Sequence, residues 1–270
     1  MNTELLMCDA KHFRIEYAIN PYMSVATQPD PLAAVVEHEA IEKAHVDAGR
    51  MVSRLPSAPE CPDMVYTANS ALVCGRQVVL GSPPPARRPE IRYFRTWFQE
   101  HEFDVHDAPY PFSGQGDALP CGARLLLGHG HRTDRRMDAV LADLLGYQVV
   151  PLRTVSEQWY DLDLAVAVID RGTVAYCPQA LDAPSRDRLR DQGLDLIEVT
   201  VEEARRFGLN LISDGSTVTM TTGAPRLAAE LRERGAEVVE LPTVELRKGG
   251  GGIRCTALTL DNPPPAPARS

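Results

Sequence analysis

The sequence lacks the features that mark membrane, disulfide-stapled and nucleic-acid-binding proteins. Its 270 residues contain no run near the roughly 20 apolar residues of a membrane span, and its six cysteines include no Cys-x-x-Cys pair. A basic face for nucleic acid is not expected, because 28 Lys+Arg stand against 37 Asp+Glu and the net charge is -9. We therefore expect a cytoplasmic protein with neither a membrane nor a nucleic-acid partner.

Cofactor motifs are missing as well. Neither a P-loop nor a Gly-x-Gly-x-x-Gly fingerprint occurs, and no His, Cys and Asp residues have the spacing of metal ligands. The sequence thus predicts no metal and no organic cofactor. All seven histidines lie before residue 132, so the rest of the chain offers no imidazole as a general base.

The chain does contain a repeat. At five places a polar residue or a cysteine comes just before the first strand of a predicted strand pair: Asn69, Asp117, Asp163, Asn210 and Cys255, at intervals of 48, 46, 47 and 45. The first four pairs are each followed by a predicted helix and one more strand. Asn20 lies 49 residues before Asn69 and opens a partial unit, with a helix at 31–48 and a strand at 51–55.

These units predict an α/β fold of pseudo-fivefold ββαβ repeats. The strand pairs are predicted at 71–73 and 78–80, 118–119 and 125–127, 164–169 and 173–176, and 211–212 and 217–220. The helices are predicted at 90–100, 134–145, 185–192 and 225–234, and the third strands at 103–106, 148–152, 195–199 and 237–241.

Repeats of this length with several strands are typical of radial or stacked architectures. A doubly wound α/β sheet is the alternative, but a polar residue at one place in every unit favours a ring in which these residues converge on the axis. We expect one domain over 1–262, a Pro-rich tail at 263–270, and a homodimer as the simplest oligomer.

Cys255 is the candidate nucleophile. Four consecutive glycines at 249–252 precede it, which allows close approach of a substrate and leaves room for backbone amide donors. The alternatives are that the glycines form a flexible loop and that the thiol is an inert buried side chain.

Six segments carry a resemblance to a known family. They are INPYM at 19–23, PDMVYTAN at 62–69, GDAL at 116–119, RTD at 132–134, YDLD at 160–163 and GGGGIRC at 249–255. Together they resemble the pentein, or amidinotransferase-fold, superfamily, above all its arginine dihydrolase and dimethylarginine dimethylaminohydrolase branch. The resemblance spans residues 20–260 and implies a five-bladed α/β propeller in which a cysteine attacks a guanidinium carbon.

The resemblance also implies roles for single residues. Cys255 matches the nucleophile, and Asn20, Asp63 and Asn69 match residues that hold the guanidino group in the dihydrolase-like branch. A dimethylarginine hydrolase would instead have acids at the positions of Ala68 and Asn69.

Two arginines match residues that hold a substrate carboxylate, which implies an amino-acid-like small molecule. These are Arg132 and Arg87, with Arg88 as the second choice for the latter. The residues around Arg132 could also simply open a helix with Thr133 as its cap.

Two departures affect the expected chemistry. Asp161 stands where the family has its general acid/base histidine, and Ser113 stands where the family has the glutamate that orients it. The new pair could be a Ser113 hydroxyl donating to the Asp161 carboxylate. A carboxylate near Cys255 raises the pKa of the thiol, so a weaker resting nucleophile is expected. His129 and His131 are alternative bases, although a solvated loop position is the commoner state of such histidines.

Several acids should share the axis with Asp161, and Asp117 and Asp163 are therefore expected to bind substrate. Together with Asp63 they would favour a cationic small molecule.

The sequence leaves three hypotheses. The first is a hydrolase or group-transfer enzyme that acts on a guanidino or other C–N carbon through a covalent Cys255 adduct, with Asp161 and Ser113 as altered catalytic residues. Such an enzyme could serve a different chemistry, as in specialised metabolism. The second is an ordinary guanidine hydrolase, and the third is a non-catalytic binding or assembly protein that keeps the pocket.

Overall fold

The computed structural model describes residues 2–265. Met1 and residues 266–270 lie outside the described residues. Residues 266–270 are the end of the predicted Pro-rich tail. In chain order the strands of the described chain are β1 (Glu4–Cys8), β2 (Met51–Leu55), β3 (Ala71–Cys74), β4 (Gln77–Leu80), β5 (Asp104–Asp107), β6 (Ala118–Cys121), β7 (Arg124–His129), β8 (Gln148–Arg153), β9 (Val166–Val168), β10 (Thr173–Tyr176), β11 (Asp195–Glu198), β12 (Ile212–Ser213), β13 (Thr217–Thr221), β14 (Glu237–Leu241) and β15 (Ala257–Thr259).

Six α-helices lie in the same described range: α1 (Pro31–Asp47), α2 (Ile91–Glu100), α3 (Met137–Leu145), α4 (Ala183–Arg190), α5 (Val201–Arg205) and α6 (Pro225–Glu233). None of these helices has the length and apolar character that a membrane crossing requires. Helix α1 starts where the sequence directs it, because Asp30 accepts hydrogen bonds from the amides of Leu32 and Ala33 and Pro31 occupies the first helical position.

The strands form five separate sheets of three strands each within residues 2–265. In every sheet the middle strand pairs antiparallel with one neighbour and parallel with the other, as β4 does with β3 and β5. This is the predicted ββαβ unit, and it rules out one continuous doubly wound sheet. The fold is the five-bladed α/β propeller that the intervals and the resemblance predicted.

The fifth sheet differs from the sequence prediction. Its order is β15–β1–β2, with β1 antiparallel to β15 and parallel to β2. The helix and strand after Asn20 are present as predicted, but β1, which supplies the middle strand from the beginning of the described chain, was not predicted. Both ends of the described chain therefore complete one blade. The short helix α5 was also missed.

The end of the described chain packs on the blades. The Pro263 carbonyl accepts a hydrogen bond from the Tyr147 hydroxyl at 2.8 Å, and the Asn262 side chain donates to the Val73 carbonyl at 3.1 Å. This part of the predicted tail is therefore in contact with the propeller.

Candidate active site

The residues that begin the five units meet at the centre of the molecule. Single turns of 3-10 helix at Thr67–Ser70, Gly114–Gly116 and Leu162–Leu164 come just before β3, β6 and β9, and they carry or adjoin Asn69, Asp117 and Asp163. The Asn210 side chain donates to the Cys255 Sγ atom at 3.1 Å, and this thiol lies 3.3 Å from Asp163 Oδ2. The predicted convergence on the axis is confirmed.

Cys255 is deeply buried in this arrangement, with only 2% of its surface exposed. The pKa of its thiol lies well above the ordinary value, first because of burial and then because of the Asp163 and Asp161 carboxylates, while the Asn210 amide opposes the shift. This confirms the direction expected from the sequence, although burial is the larger cause. The resting site therefore holds a protonated thiol that can donate to Asp163.

Ser113 and Asp161 form the pair that the sequence suggested. The Ser113 hydroxyl donates to Asp161 Oδ1 at 2.7 Å. The other carboxylate oxygen, Oδ2, accepts from Asn69 Nδ2 at 2.8 Å and from an Arg132 guanidinium nitrogen at 3.2 Å. Three donors thus hold this buried carboxylate in place.

Asp117 and Asp163 are held mainly by neutral groups. Asp117 accepts from the Thr133 hydroxyl at 2.6 Å and from the Leu162 amide at 2.8 Å. Burial, followed by the Asp161 charge, raises the pKa of Asp117 to about 7 and raises the pKa of Asp163 well above its ordinary value. Within residues 2–265, no group of three His, Cys, Asp or Glu side chains is placed to hold a metal ion.

The raised pKa of Asp117 predicts a pH-dependent stability. Because the folded protein keeps this carboxyl protonated up to about pH 7, whereas the ordinary value is 3.8, the free energy of unfolding should fall as pH rises between these values. Asp117→Asn removes the charge and can keep the Leu162 and Thr133 hydrogen bonds. We expect the variant to be more stable than the wild type at pH 8 by roughly 2 kcal/mol, with little difference near pH 4. The free energy of unfolding of both proteins is measured by urea unfolding at several pH values in this range. The same dependence on pH in both proteins would contradict a raised pKa for Asp117 in the folded protein.

Thr133 does not cap a helix, contrary to one reading of the sequence. Helix α3 begins four residues later, at Met137. The Thr133 hydroxyl instead donates to Asp117 and accepts from the Ser113 amide at 3.1 Å, so it ties two site segments together.

Asp63 is buried with an unused acceptor. Burial raises the pKa of its carboxyl to about 6, and Arg87 opposes the shift. Tyr17 is close enough to interact with this carboxyl, yet Asp63 Oδ1 forms no hydrogen bond of ordinary geometry within residues 2–265. Asp163 Oδ1 is in the same state. Two buried carboxylate oxygens, one of them on the residue that contacts the thiol, therefore lack a partner in the described chain.

The Arg87 guanidinium contacts Asn69, and each of its nitrogens donates a hydrogen bond. Its guanidinium pairs with Glu90 at 2.9 Å, donates to Asn69 Oδ1 at 2.8 Å, and donates to the Asp63 and Tyr66 carbonyls at 3.1 Å. Only 3% of the Arg87 side chain is exposed. The structure thus brings Arg87 to the cluster as a support for Asn69 and Asp63, while the neighbouring Arg88 is exposed.

This buried ion pair predicts a large effect on stability. Arg87→Ala leaves Glu90 buried without its cation, so we expect the free energy of unfolding to fall by roughly 3–5 kcal/mol. Arg88→Ala is the matched control, and we expect it to change stability by less than about 0.5 kcal/mol. The two variants are compared by urea unfolding, provided that the dependence of the unfolding free energy on urea concentration is the same in both. Equal midpoint urea concentrations for the two variants would show that the Arg87–Glu90 pair does not stabilise the fold.

The glycine run before Cys255 is packed, not open. The Asn20 side chain donates to the Gly249 carbonyl at 3.0 Å. Gly250 has φ +93°, and a Cβ there would lie 2.5 Å from Asn20 Nδ2, while a Cβ on Gly251 would overlap the Tyr66 ring. The close approach that these glycines permit is made here by protein side chains, so the flexible-loop alternative is wrong.

A cavity of about 460 Å³ lies in front of the cluster. Its lining includes Asn20, Arg132 and Tyr160, together with His131. The Arg132 guanidinium lies 4.1 Å from the centre of the Tyr160 ring, whose hydroxyl donates to the Gly250 carbonyl at 2.5 Å. Arg132 therefore connects the cavity with Asp161.

Tyr160 and Tyr66 belong to this site but were not predicted to do so. An aromatic residue in a buried segment usually indicates the hydrophobic core and not a functional site. Arg254 is a further part of the site. That side chain is buried and donates to Gln115 Oε1 at 2.8 Å and to Thr259 Oγ1 at 2.9 Å, and its charge opposes the raised pKa of Asp163. His131 borders the cavity. Burial lowers the pKa of His129, whose Nε2 has no hydrogen-bond partner in the described chain.

Known proteins are similar to this chain in sequence and in fold. A family model described as N,N dimethylarginine dimethylhydrolase, eukaryotic, matches residues 31–260. The N(G),N(G)-dimethylarginine dimethylaminohydrolase of Mycobacterium tuberculosis is 36% identical over 249 residues, which is 92% of this chain and 82% of that protein. The bifunctional arginine dihydrolase/ornithine cyclodeaminase ArgZ of Synechocystis sp. is 32% identical over 271 residues, which is 96% of this chain and 38% of that protein.

A solved structure extends the comparison to the site's chemistry. The N-terminal domain of an ArgZ variant, covalently bound to a reaction intermediate, superposes with a TM-score of 0.92 at 31% identity, covering 97% of this chain and 99% of that domain. The fold is thus that of the pentein-type hydrolases of guanidino compounds. The chain belongs to the dimethylarginine dimethylaminohydrolase family, as the sequence resemblance predicted.

Proposed function

We propose that this protein is a cysteine-dependent hydrolase that acts on the guanidino group of an arginine-like amino acid through a covalent Cys255 adduct. One observation carries the proposal. Two buried carboxylate oxygens, Asp63 Oδ1 and Asp163 Oδ1, have no hydrogen-bond partner within residues 2–265, and the other oxygen of Asp163 lies 3.3 Å from the Cys255 thiol. A planar guanidinium has several N–H donors and a positive charge, which matches both deficits.

The substrate also supplies the charge that the nucleophile needs. The family's imidazole is replaced by Asp161, and the pKa of the Cys255 thiol is raised. A bound guanidinium between the thiol and the carboxylates favours the thiolate by direct attraction. Activation of the thiol is therefore coupled to binding of a cationic substrate.

The proposed first step breaks a C–N bond. The thiol proton passes to Asp161, and Sγ attacks the guanidinium carbon to form a C–S bond. Asp161 then returns the proton to the departing nitrogen, which leaves as ammonia or an amine. Ser113 and Asn69 hold Asp161 in place during both transfers.

The second step releases the product. Asp161 takes a proton from a water molecule whose oxygen attacks the same carbon, and it passes that proton to sulfur as the C–S bond breaks, which restores the thiol. The remaining proton of the cationic adduct is released to solvent as the urea group forms. The product carries a urea group, so arginine yields citrulline and ammonia. A second hydrolysis of the same carbon would yield ornithine, and capture by an amine in place of water would be group transfer.

Arginine is the first substrate to test, ahead of its methylated forms. The resemblance implies that an enzyme for N(G)-methylated arginine has acidic residues at positions 68 and 69. This chain has Ala68 and Asn69 there, which favours unmethylated arginine. Asn69 is also turned toward Asp161 and Ser113 by its hydrogen bonds. The ArgZ relationship, which covers that protein's N-terminal domain, supports the same choice.

The experiment is a substrate panel. Purified protein is incubated with arginine, its N-methylated forms, citrulline and agmatine, and ammonia, citrulline and ornithine are measured by mass spectrometry. We expect arginine to give citrulline or ornithine at the highest kcat/KM. Turnover that survives Cys255→Ala would overturn the covalent mechanism.

A non-catalytic binding protein is the second candidate, and the loss of the family His–Glu pair favours it. In that case arginine would bind without product in the wild type. Asp161→His with Ser113→Glu would then restore hydrolysis, because the remaining site is intact. Product formation by the wild type decides against this candidate.

A further inference from the structure

Asp161 accepts three hydrogen bonds in the resting site, from Ser113, Asn69 and Arg132. A carboxylate has about four acceptor sites, so these bonds do not by themselves block a proton. The positive charge of Arg132 beside Oδ2 stabilises the ionised carboxylate, so Asp161 takes a proton from Cys255 or from water more readily once Arg132 has moved away. Ser113 and Asn69 are buried behind it, and Asn69 is itself fixed by Arg87. Arg132 is the donor that borders the cavity, so it is the one that a ligand can reach.

The hold of Arg132 on Asp161 is weak for a charged pair. One guanidinium nitrogen lies 3.2 Å from Asp161 Oδ2, and the other lies 3.5 Å from the Ile19 carbonyl. Good guanidinium–carboxylate pairs are bidentate, with distances of about 2.7–2.9 Å. A carboxylate entering the cavity therefore offers Arg132 a better partner than the one it has, and the Tyr160 ring can support the guanidinium in either position.

From this geometry we propose that Arg132 and Asp161 form a latch that the substrate's own carboxylate releases. The inference rests on the proposed function and deepens it by naming the substrate class: guanidino compounds that carry a carboxylate within reach of Arg132. Binding of that carboxylate draws Arg132 away from Asp161 and frees the base. The latch requires a carboxylate at position 161 that can pair with Arg132.

A residue that merely anchors the substrate carboxylate affects binding, whereas the latch affects the chemical step. Agmatine, which is arginine without its carboxylate, should therefore have a kcat about 100-fold below that of arginine on the wild type. Arg132→Ala should raise kcat for agmatine about tenfold while it lowers kcat/KM for arginine. Arg135→Ala, on the same loop with its side chain 70% exposed, is the control and should change neither.

A second measurement needs neither turnover nor a variant. The rate at which 2-chloroacetamidine, an electrophile with no carboxylate, labels Cys255 is followed with and without propionate. The latch predicts that propionate accelerates labelling several-fold in the wild type and has no effect in Arg132→Ala. A carboxylate that only occupies the cavity would slow labelling or leave it unchanged, and that result overturns the latch.

The two proposals fail separately. If arginine is turned over, but agmatine kcat is unchanged by Arg132→Ala and labelling ignores propionate, the latch is wrong and the hydrolase stands. If propionate accelerates labelling but no guanidino compound is turned over, the latch stands and the proposed hydrolysis is wrong.

Discussion

Cys255→Ser is expected to lower kcat for arginine by at least about 10³-fold while the protein stays folded. The serine hydroxyl can keep the contacts with Asn210 and Asp163 that the thiol makes at 3.1 and 3.3 Å, so packing is preserved. The loss comes from chemistry, because a hydroxyl is a far poorer nucleophile than a thiolate, and within residues 2–265 the side chain at 255 has hydrogen bonds to Asn210 and Asp163 and none to a histidine.

A second buried cysteine provides the matched control. Cys121 lies in β6, is also fully buried, and contacts only the Asp170 and Arg171 carbonyls through sulfur in the described chain. Cys121→Ser should retain kcat within about threefold. Steady-state kinetics on both variants, with circular dichroism to confirm folding, make the comparison. Equal losses would point to destabilisation and not to nucleophilic catalysis.

Asp161→Asn is expected to lower kcat by about 10²–10³-fold with a much smaller change in KM. The amide has nearly the shape of the carboxylate and can still accept from the Ser113 hydroxyl, but it cannot carry a proton from Cys255 to the leaving nitrogen. The amide also cannot form the ion pair with Arg132. The effect should therefore fall on the chemical step more than on binding.

Ser113→Ala tests separately how much the Ser113 hydrogen bond to Asp161 contributes to catalysis. Removing one donor at 2.7 Å should lower kcat only about tenfold, because Asn69 still holds the carboxylate. An Asp161→Asn enzyme that retains activity within about threefold would assign the base role elsewhere, with His131 at the cavity as the next residue to test.

Much of the fold was predictable because the repeat is local. Strands such as Met51–Leu55 and Glu237–Leu241 have the bounds that alternation and turn residues predict, and the helix at Pro31–Asp47 begins at an Asp-Pro signal. Strand β1 was missed because its partners, β15 and β2, lie far from it in sequence or beyond a helix. Pairing of the chain ends leaves no periodic signal.

The site was predictable where spacing or family motifs fix it. The interval pattern placed Cys255, Asp163 and Asn210 together, and the Ser113–Asp161 hydrogen bond was also predicted from the sequence. The orientation of Arg87 was not predictable, since only the folded chain shows that Glu90 lies buried one turn further on to capture its guanidinium. Side-chain direction in a loop depends on tertiary partners that sequence spacing does not encode.

The same limit applies to the pKa of Cys255. Its direction followed from the nearby carboxylates, but its main cause is burial, which depends on how closely Tyr66, Tyr160 and the glycine run pack around the thiol. Predicted locations in the cytoplasm and as a homodimer, and the extent of the domain over 1–262, stay predictions from the sequence.

Intact-protein mass spectrometry after acid quenching tests the central claim most directly. Wild-type protein mixed with arginine should show a mass increase equal to arginine minus ammonia, and peptide mapping should place it on Cys255. The adduct should be absent from Cys255→Ser and should form far more slowly in Asp161→Asn, because that variant cannot carry the thiol proton to the leaving nitrogen. Citrulline or ornithine formation with no adduct on Cys255 at any quench time, and with undiminished turnover in Cys255→Ser, would contradict the account.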